Sequence, residues 1–237
     1  MPVPPVAAAH WSLDGRIATT PDGGRLDLDA PGRGLALAAG RDRILGVDLR
    51  TACGPSEHWL RGPDLIAVYE PADPRRLRAT AMWRLLPATT APPDVAWELT
   101  LSAQTSLVQS DAVLSAVSDV GCLDLSSRAA TGRWATVPPD GQPTEDATCL
   151  LVRRPAAAAE SPTTLLVAMH PADARRITVR RRDGRVEVAC WLFSTAIEKG
   201  VLMRGRVLAA VGPTHGDEAW AERAVATFAS SPPPLTA

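Results

Sequence analysis

The 237-residue chain has one lysine (Lys199), one tyrosine and two phenylalanines, and no apolar run near the ~20 residues that span a bilayer. Its first residues, Met1-Pro-Val-Pro-Pro-Val6, lack the basic start and apolar stretch of a signal peptide. A soluble, cytoplasmic protein is the expectation, with no membrane partner. The four cysteines, Cys53, Cys122, Cys149 and Cys190, are widely spaced, with no CxxC or His–Cys pairing that would suit a zinc site. They read as free thiols packed as small hydrophobes, and no metal or cofactor is expected. A net charge of -1 argues against a general polyanion binder, so no nucleic-acid partner is expected either. Motifs of hydrolysis and phosphate binding are missing too: there is no Gly-x-Ser-x-Gly, no His-Glu-x-x-His and no Gly-rich phosphate loop.

What is present is alternation. Val95, Trp97, Leu99 and Leu101 fall on one side of a strand while Ala96, Glu98, Thr100 and Ser102 fall on the other. Arg25 to Asp29 and Val186 to Leu192 read the same way. Further strands are expected over 43–50, 64–70, 77–86, 132–137, 148–153, 164–170, 175–182 and 201–211. Short strands at this spacing, punctuated by many of the 22 prolines and 17 glycines, predict a mainly antiparallel β-sandwich spanning residues 1–237 as one domain. Asp183-Gly184 predicts a type I′ hairpin turn. Loops are expected over 87–94, 138–146 and 155–162, the last containing the short run Ala156 to Ala159. One segment has a helical period: Trp220, Ala224 and Phe228, flanked by Ala221 and Val225, predict a C-terminal α-helix at about 217–230, with Asp217 near its cap and Pro232-Pro-Pro234 ending it.

Residues 65–77 and 165–177 echo each other: an apolar strand, Pro-Ala-Asp, two arginines, another strand. The echo places Glu70 and His170 at matching positions. If both faced one cleft they could serve as a base and acid pair; His58, after Glu57, is a further histidine candidate. The simpler reading is that each is a strand-end polar residue. Arg175, Arg176, Arg180, Arg181, Arg182 and Arg185 make a basic hairpin, and Arg180, Arg181 and Arg182 are candidates for holding an anion through paired guanidinium bonds. A solvated strand face paired with scattered carboxylates explains the same residues.

The seven tryptophans divide. Trp97, Trp191 and Trp220 fall on apolar faces and read as core. Trp11, Trp59, Trp83 and Trp134 have polar neighbours. An exposed indole is a natural platform for the apolar face of a sugar ring, which makes Trp134, Trp59 and Trp83, with Arg84, the candidate ligand contacts. Trp134 is expected to be the most exposed.

Two stretches carry a family resemblance. Trp59-Leu-Arg-Gly-Pro-Asp-Leu-Ile-Ala-Val-Tyr69 followed by Trp83-Arg84, and Ile197-Glu-Lys-Gly-Val201 with the end Pro233 to Thr236, resemble segments of bacterial proteins without an assigned activity. They cover about a fifth of the chain. The resemblance implies a galactose mutarotase-like supersandwich. The Asn-His context of mutarotases beside aromatic residues is not found here. The leading expectation is therefore a non-catalytic binding or scaffold domain, with carbohydrate as the first ligand class. A mutarotase-like isomerase or lyase using a His/Glu pair is the alternative, and a structural assembly protein is a third.

Overall fold

The computed structural model describes residues 10–37, 40–87, 91–129, 132–156 and 161–232. The alternating segments pair into two large sheets. One has nine strands in the order β13 (Trp134–Thr136), β12 (Asp124–Arg128), β14 (Cys149–Arg153), β15 (Thr163–Met169), β19 (Met203–Pro213), β9 (Val95–Thr105), β8 (Leu77–Leu85), β7 (Asp64–Tyr69) and β6 (Glu57–Arg61). The other has eight: β1 (Ser12–Asp14), β2 (Ile17–Thr19), β3 (Arg25–Asp27), β4 (Leu35–Ala36), β5 (Arg43–Asp48), β11 (Leu114–Gly121), β17 (Arg185–Phe193) and β16 (Arg176–Arg182). A small ribbon joins β10 (Gln109–Asp111) to β18 (Ala196–Glu198). Neighbours pair antiparallel, and the expected β-sandwich is what forms.

Alternation decides which side chains meet between the sheets. Leu65, Ala67 and Tyr69 of β7, Ala81 and Trp83 of β8, and Leu99 and Leu101 of β9 point inward to join Ile44, Val186 and Val188 in one shared core. The polar atoms carried into it are satisfied. The Trp83 indole N–H donates to the Leu45 carbonyl at 2.8 Å and the Tyr69 hydroxyl to the Leu28 carbonyl at 3.2 Å.

The Asp183-Gly184 turn has φ of 50° and 71°, as a type I′ turn requires. The 138–146 loop adds to the sheet edge: the Gln142 side-chain amide donates to the Val179 carbonyl and accepts from its N–H, covering part of β16. The expected run Ala156 to Ala159, the middle of the 87–94 loop and the end from Pro233 lie largely or wholly outside the described residues. The two echoed segments differ in use. The first is a hairpin from β7 to β8 in one sheet, whereas the second leaves β15 in the nine-stranded sheet and enters β16 in the other.

The C-terminal helix α1 (Asp217–Ser230) lies on the outer face of the nine-stranded sheet. Trp220, Ala221, Val225 and Phe228 cover Cys149, Leu151, Leu166, Ala168, Leu208 and Ala210 of β14, β15 and β19. Each large apolar side chain so covered is worth about 1.5–3 kcal/mol. Close docking needs Gly212, because a Cβ there would meet the Trp220 ring at 3.0 Å. Asp217, the first helical residue, is buried and accepts from the Arg153 guanidinium at 2.8 Å and the Thr164 hydroxyl at 3.0 Å. At the other end Arg206 donates to the carbonyls of Ser231 and Pro232.

Candidate functional site

Helix α1 covers only half of that outer face. Among the described residues the helix cluster reaches Leu86 and, on β9, Ala96, but leaves the rest of the outward side of β6 to β9 uncovered, and register shows which residues these are. Trp59 pairs with Ile66, Ile66 with Met82, and Met82 with Thr100; in the adjacent row Val68 pairs with Thr80, Thr80 with Ser102, and Ser102 with Arg204. Ile66, Val68 and Met82 form an apolar floor, 5%, 2% and 1% exposed. Trp59 and Leu202 stand above it at 41% and 53% exposure, and Arg61, Arg78, Thr80, Ser102 and Gln104 supply hydrogen-bonding groups around the same cavity of about 330 Å³. Arg78 and Gln104 also line a neighbouring cavity of about 420 Å³ with Glu70, Arg76 and Ser106. Leu202 leads the other way, into a cavity of about 500 Å³ bordered by His170, Asp173, Arg204 and Arg206. Three adjoining hollows therefore make one groove beside the helix.

The candidate residues distribute unevenly over this geometry. Trp59 is in the groove. Trp83 is fully buried on the inner face and is not available to a ligand, because its alternation position points it between the sheets. Trp134, expected to be the most exposed, is half-buried under α1, with its indole N–H donating to Glu222 at 2.9 Å. Trp191, expected in the core, is half-buried on the outer side of β17, with the Arg176 guanidinium 5.5 Å from its ring. Arg84 is engaged by Asp64 through two bonds of 2.6 and 2.8 Å, and this carboxylate raises the guanidinium pKa.

Glu70 and His170 do share a face and an end of the nine-stranded sheet. They lie four strand spacings apart, roughly 19 Å, which is too far for a proton-transfer pair. Glu70 is paired with Arg78 at 3.2 Å. The carboxylate near His170 is Asp173, at 3.9 Å. Both ring nitrogens of His170 meet backbone: Nε2 reaches the Ala229 carbonyl at 3.2 Å and the Ala172 N–H donates to Nδ1. A neutral ring protonated on Nε2 satisfies both contacts. His58 points to the opposite face from Trp59, and its Nε2 donates to the Gly15 carbonyl at 3.0 Å. Of the basic hairpin, Arg181 turns in to the Val137 carbonyl and Arg185 pairs with Asp119 and Asp42, while Arg180 and Arg182 stay exposed. None of the three groove hollows is lined by Arg180, Arg181 or Arg182.

A line of charge separates the helix-covered half from the groove. Arg61 and Arg84 flank Asp64, and Arg206 reaches Glu98 at 3.9 Å and Asp173 at 3.7 Å. Burial pushes the Glu98 carboxyl above its usual range, against the opposing pull of Arg206 and Arg84. Among the described residues no group of three or more His, Cys, Asp or Glu is placed to hold a metal ion, and no helix is long and apolar enough to cross a membrane. Sequence reasoning found Trp59 but missed Arg61, Arg76, Arg78, Thr80, Ser102, Gln104 and Leu202. The available signal was β7, apolar on both faces, which requires its outer side to be covered by something.

No family model and no curated protein sequence matches the chain. Solved structures do. A provisionally assigned aldose 1-epimerase of Escherichia coli K12 superposes with a TM-score of 0.51 over 86% of this chain and 98% of that one, at 9% identity. The fold is a galactose mutarotase-like β-sandwich. A family GH36 α-galactosidase of Geobacillus stearothermophilus matches 63% of this chain and 24% of its own length, with a TM-score of 0.43 and 9% identity. Within the mutarotase-like sandwich, the groove lies on the outer face of the nine-stranded sheet, beside α1.

Proposed function

We propose that residues 1–237 act as a single, non-catalytic carbohydrate-binding domain whose ligand lies in the groove over β6 to β9. The observation that carries this reading is Trp59. Its indole is 41% exposed above an apolar floor, within a ring of guanidinium, hydroxyl and amide groups. A pyranose has the complementary chemistry, with an apolar C–H face for the indole and hydroxyls for the polar rim. A structural neighbour described as an aldose 1-epimerase is in keeping with a sugar ligand. Unpaired thiols at Cys53, Cys122, Cys149 and Cys190 support a reducing, cytoplasmic setting.

The test is a thermal-shift screen against a panel of mono- and oligosaccharides, followed by calorimetry on the best ligand. Binding that is weakened at least tenfold in Trp59→Ala supports the reading; undiminished binding in that variant contradicts it.

The contact between His170 and Asp173 favours a second reading, sugar isomerisation at the far end of the groove. It requires the ring to give up a backbone partner. Anomer interconversion of α-galactose followed by NMR tests it, and a rate equal to the buffer rate removes it.

A further inference from the structure

Guanidinium groups are the commonest charged groups along the groove. Arg61, Arg76, Arg78, Arg204 and Arg206 line it against Glu70 and Asp173, and Asp64, Glu57 and Glu98 behind the lining pair with Arg61, Arg78 and Arg206. Those pairings leave local guanidinium contacts, rather than a net positive field, as the means by which the groove could hold an anion.

Arg76 is the decisive member. It sits at the mouth of the Glu70 hollow, exposed, with a backbone φ of 45°. Among the described residues its guanidinium has no hydrogen bond and no ion pair. The turn that presents it is firmly held. Arg75 donates to the Asp73 carboxylate and to the carbonyls of Leu49 and Val113, and the Thr105 hydroxyl donates to the Arg75 carbonyl. Arg78, next to it in the hollow, is partly neutralised by Glu57 and Glu70. Gln104 and Ser106 add neutral donors on the same side. The result is a guanidinium without a partner among the described residues, carried on a fixed backbone turn and joined through Arg78 and Gln104 to the hollow that holds Trp59.

Resting on the carbohydrate reading, we infer that the groove selects anionic sugars: a pyranose ring lies against Trp59 while a carboxylate or phosphate ester on it or on the adjoining ring meets Arg76 and Arg78. Polymeric uronates and free sugar phosphates share this chemistry, and separate arms of one experiment distinguish them. Affinities of the full chain are measured by calorimetry for trigalacturonate and its methyl ester, and for galactose 6-phosphate and galactose. The expected result is that at least one anionic probe binds ten times or more tighter than its neutral counterpart, and that this preference shrinks as salt is raised. Preference confined to the first pair assigns a polymeric uronate; preference confined to the second assigns a sugar phosphate. Arg76→Asn, chosen because asparagine tolerates the left-handed backbone, lowers the affinity for the anionic probe more than that for its neutral counterpart and so removes most of the preference. Equal affinity for charged and neutral members of both pairs, or a preference that survives Arg76→Asn, overturns the inference and leaves the carbohydrate reading standing. Absence of binding by all four probes, with neutral sugars also silent in the panel, overturns both.

Discussion

The outer face of the nine-stranded sheet is built in two ways. Over β14, β15 and β19 its residues are apolar and lie under α1, which brings Trp220, Val225 and Phe228 to them. Over β6 to β9 the floor is apolar as well, in Ile66, Val68 and Met82, but the cover is Trp59 and Leu202 with guanidinium and hydroxyl groups between. Among the described residues one half is closed by α1 and the other is left for something that is both apolar and hydrogen-bonding. The line from Asp64 through Glu98 and Arg206 to Asp173 marks the boundary. A face that needs covering but is not covered by the described residues is the strongest pointer to a ligand in this molecule.

The contrast can be broken from the closed side first. Trp220→Ala empties the centre of the helix contact and is expected to cost about 3–5 kcal/mol in chemical denaturation, the largest effect foreseen. Asp217→Asn weakens the tether to Arg153 and Thr164 and is expected to cost roughly 1.5–3 kcal/mol by the same measurement. On the open side the roles reverse: Trp59→Ala should change stability by no more than about 0.5 kcal/mol while reducing sugar affinity at least tenfold in calorimetry, a difference of about 1.4 kcal/mol. A Trp59 variant as destabilised as the Trp220 variant would erase the distinction between the halves.

The smallest effect lies on the boundary. Glu98 has a folded pKa above its ordinary 4.5, so ionising it costs the folded state more than the unfolded one. That penalty is absent below about 4.5 and grows as pH rises through the folded value. The stability of the natural protein relative to Glu98→Gln should therefore decline between pH 4 and pH 8 in urea melts. A constant difference would mean that Arg206 and Arg84 fully offset the burial.

The sandwich was largely legible because alternation is a local signal. The strands from 43 to 50 and from 164 to 170, and the helix at 217–230, appear within a few residues of expectation. β11 was not read: Ser115, Ala116 and Ser118 are small and buried on both faces, so no period shows. β6 was missed as an edge strand whose residues are mostly exposed. The site was legible only at Trp59. Whether Trp83 is exposed depends on which face of β8 meets the second sheet, and whether Trp134 is exposed depends on which sheet face α1 covers, long-range facts absent from their neighbours in sequence. The Glu70–His170 pairing failed because similar turns occupy strands four places apart.

Hydrogen–deuterium exchange with and without saturating sugar tests the central claim most directly, since it reads both halves at once. Bound to its best ligand, the protein is predicted to gain protection at 57–61, 104–106 and 199–202 and none at 180–182. Protection concentrated on the 180–182 hairpin, or unchanged exchange over 57–61 at saturation, would contradict a ligand held in the open half of the sheet.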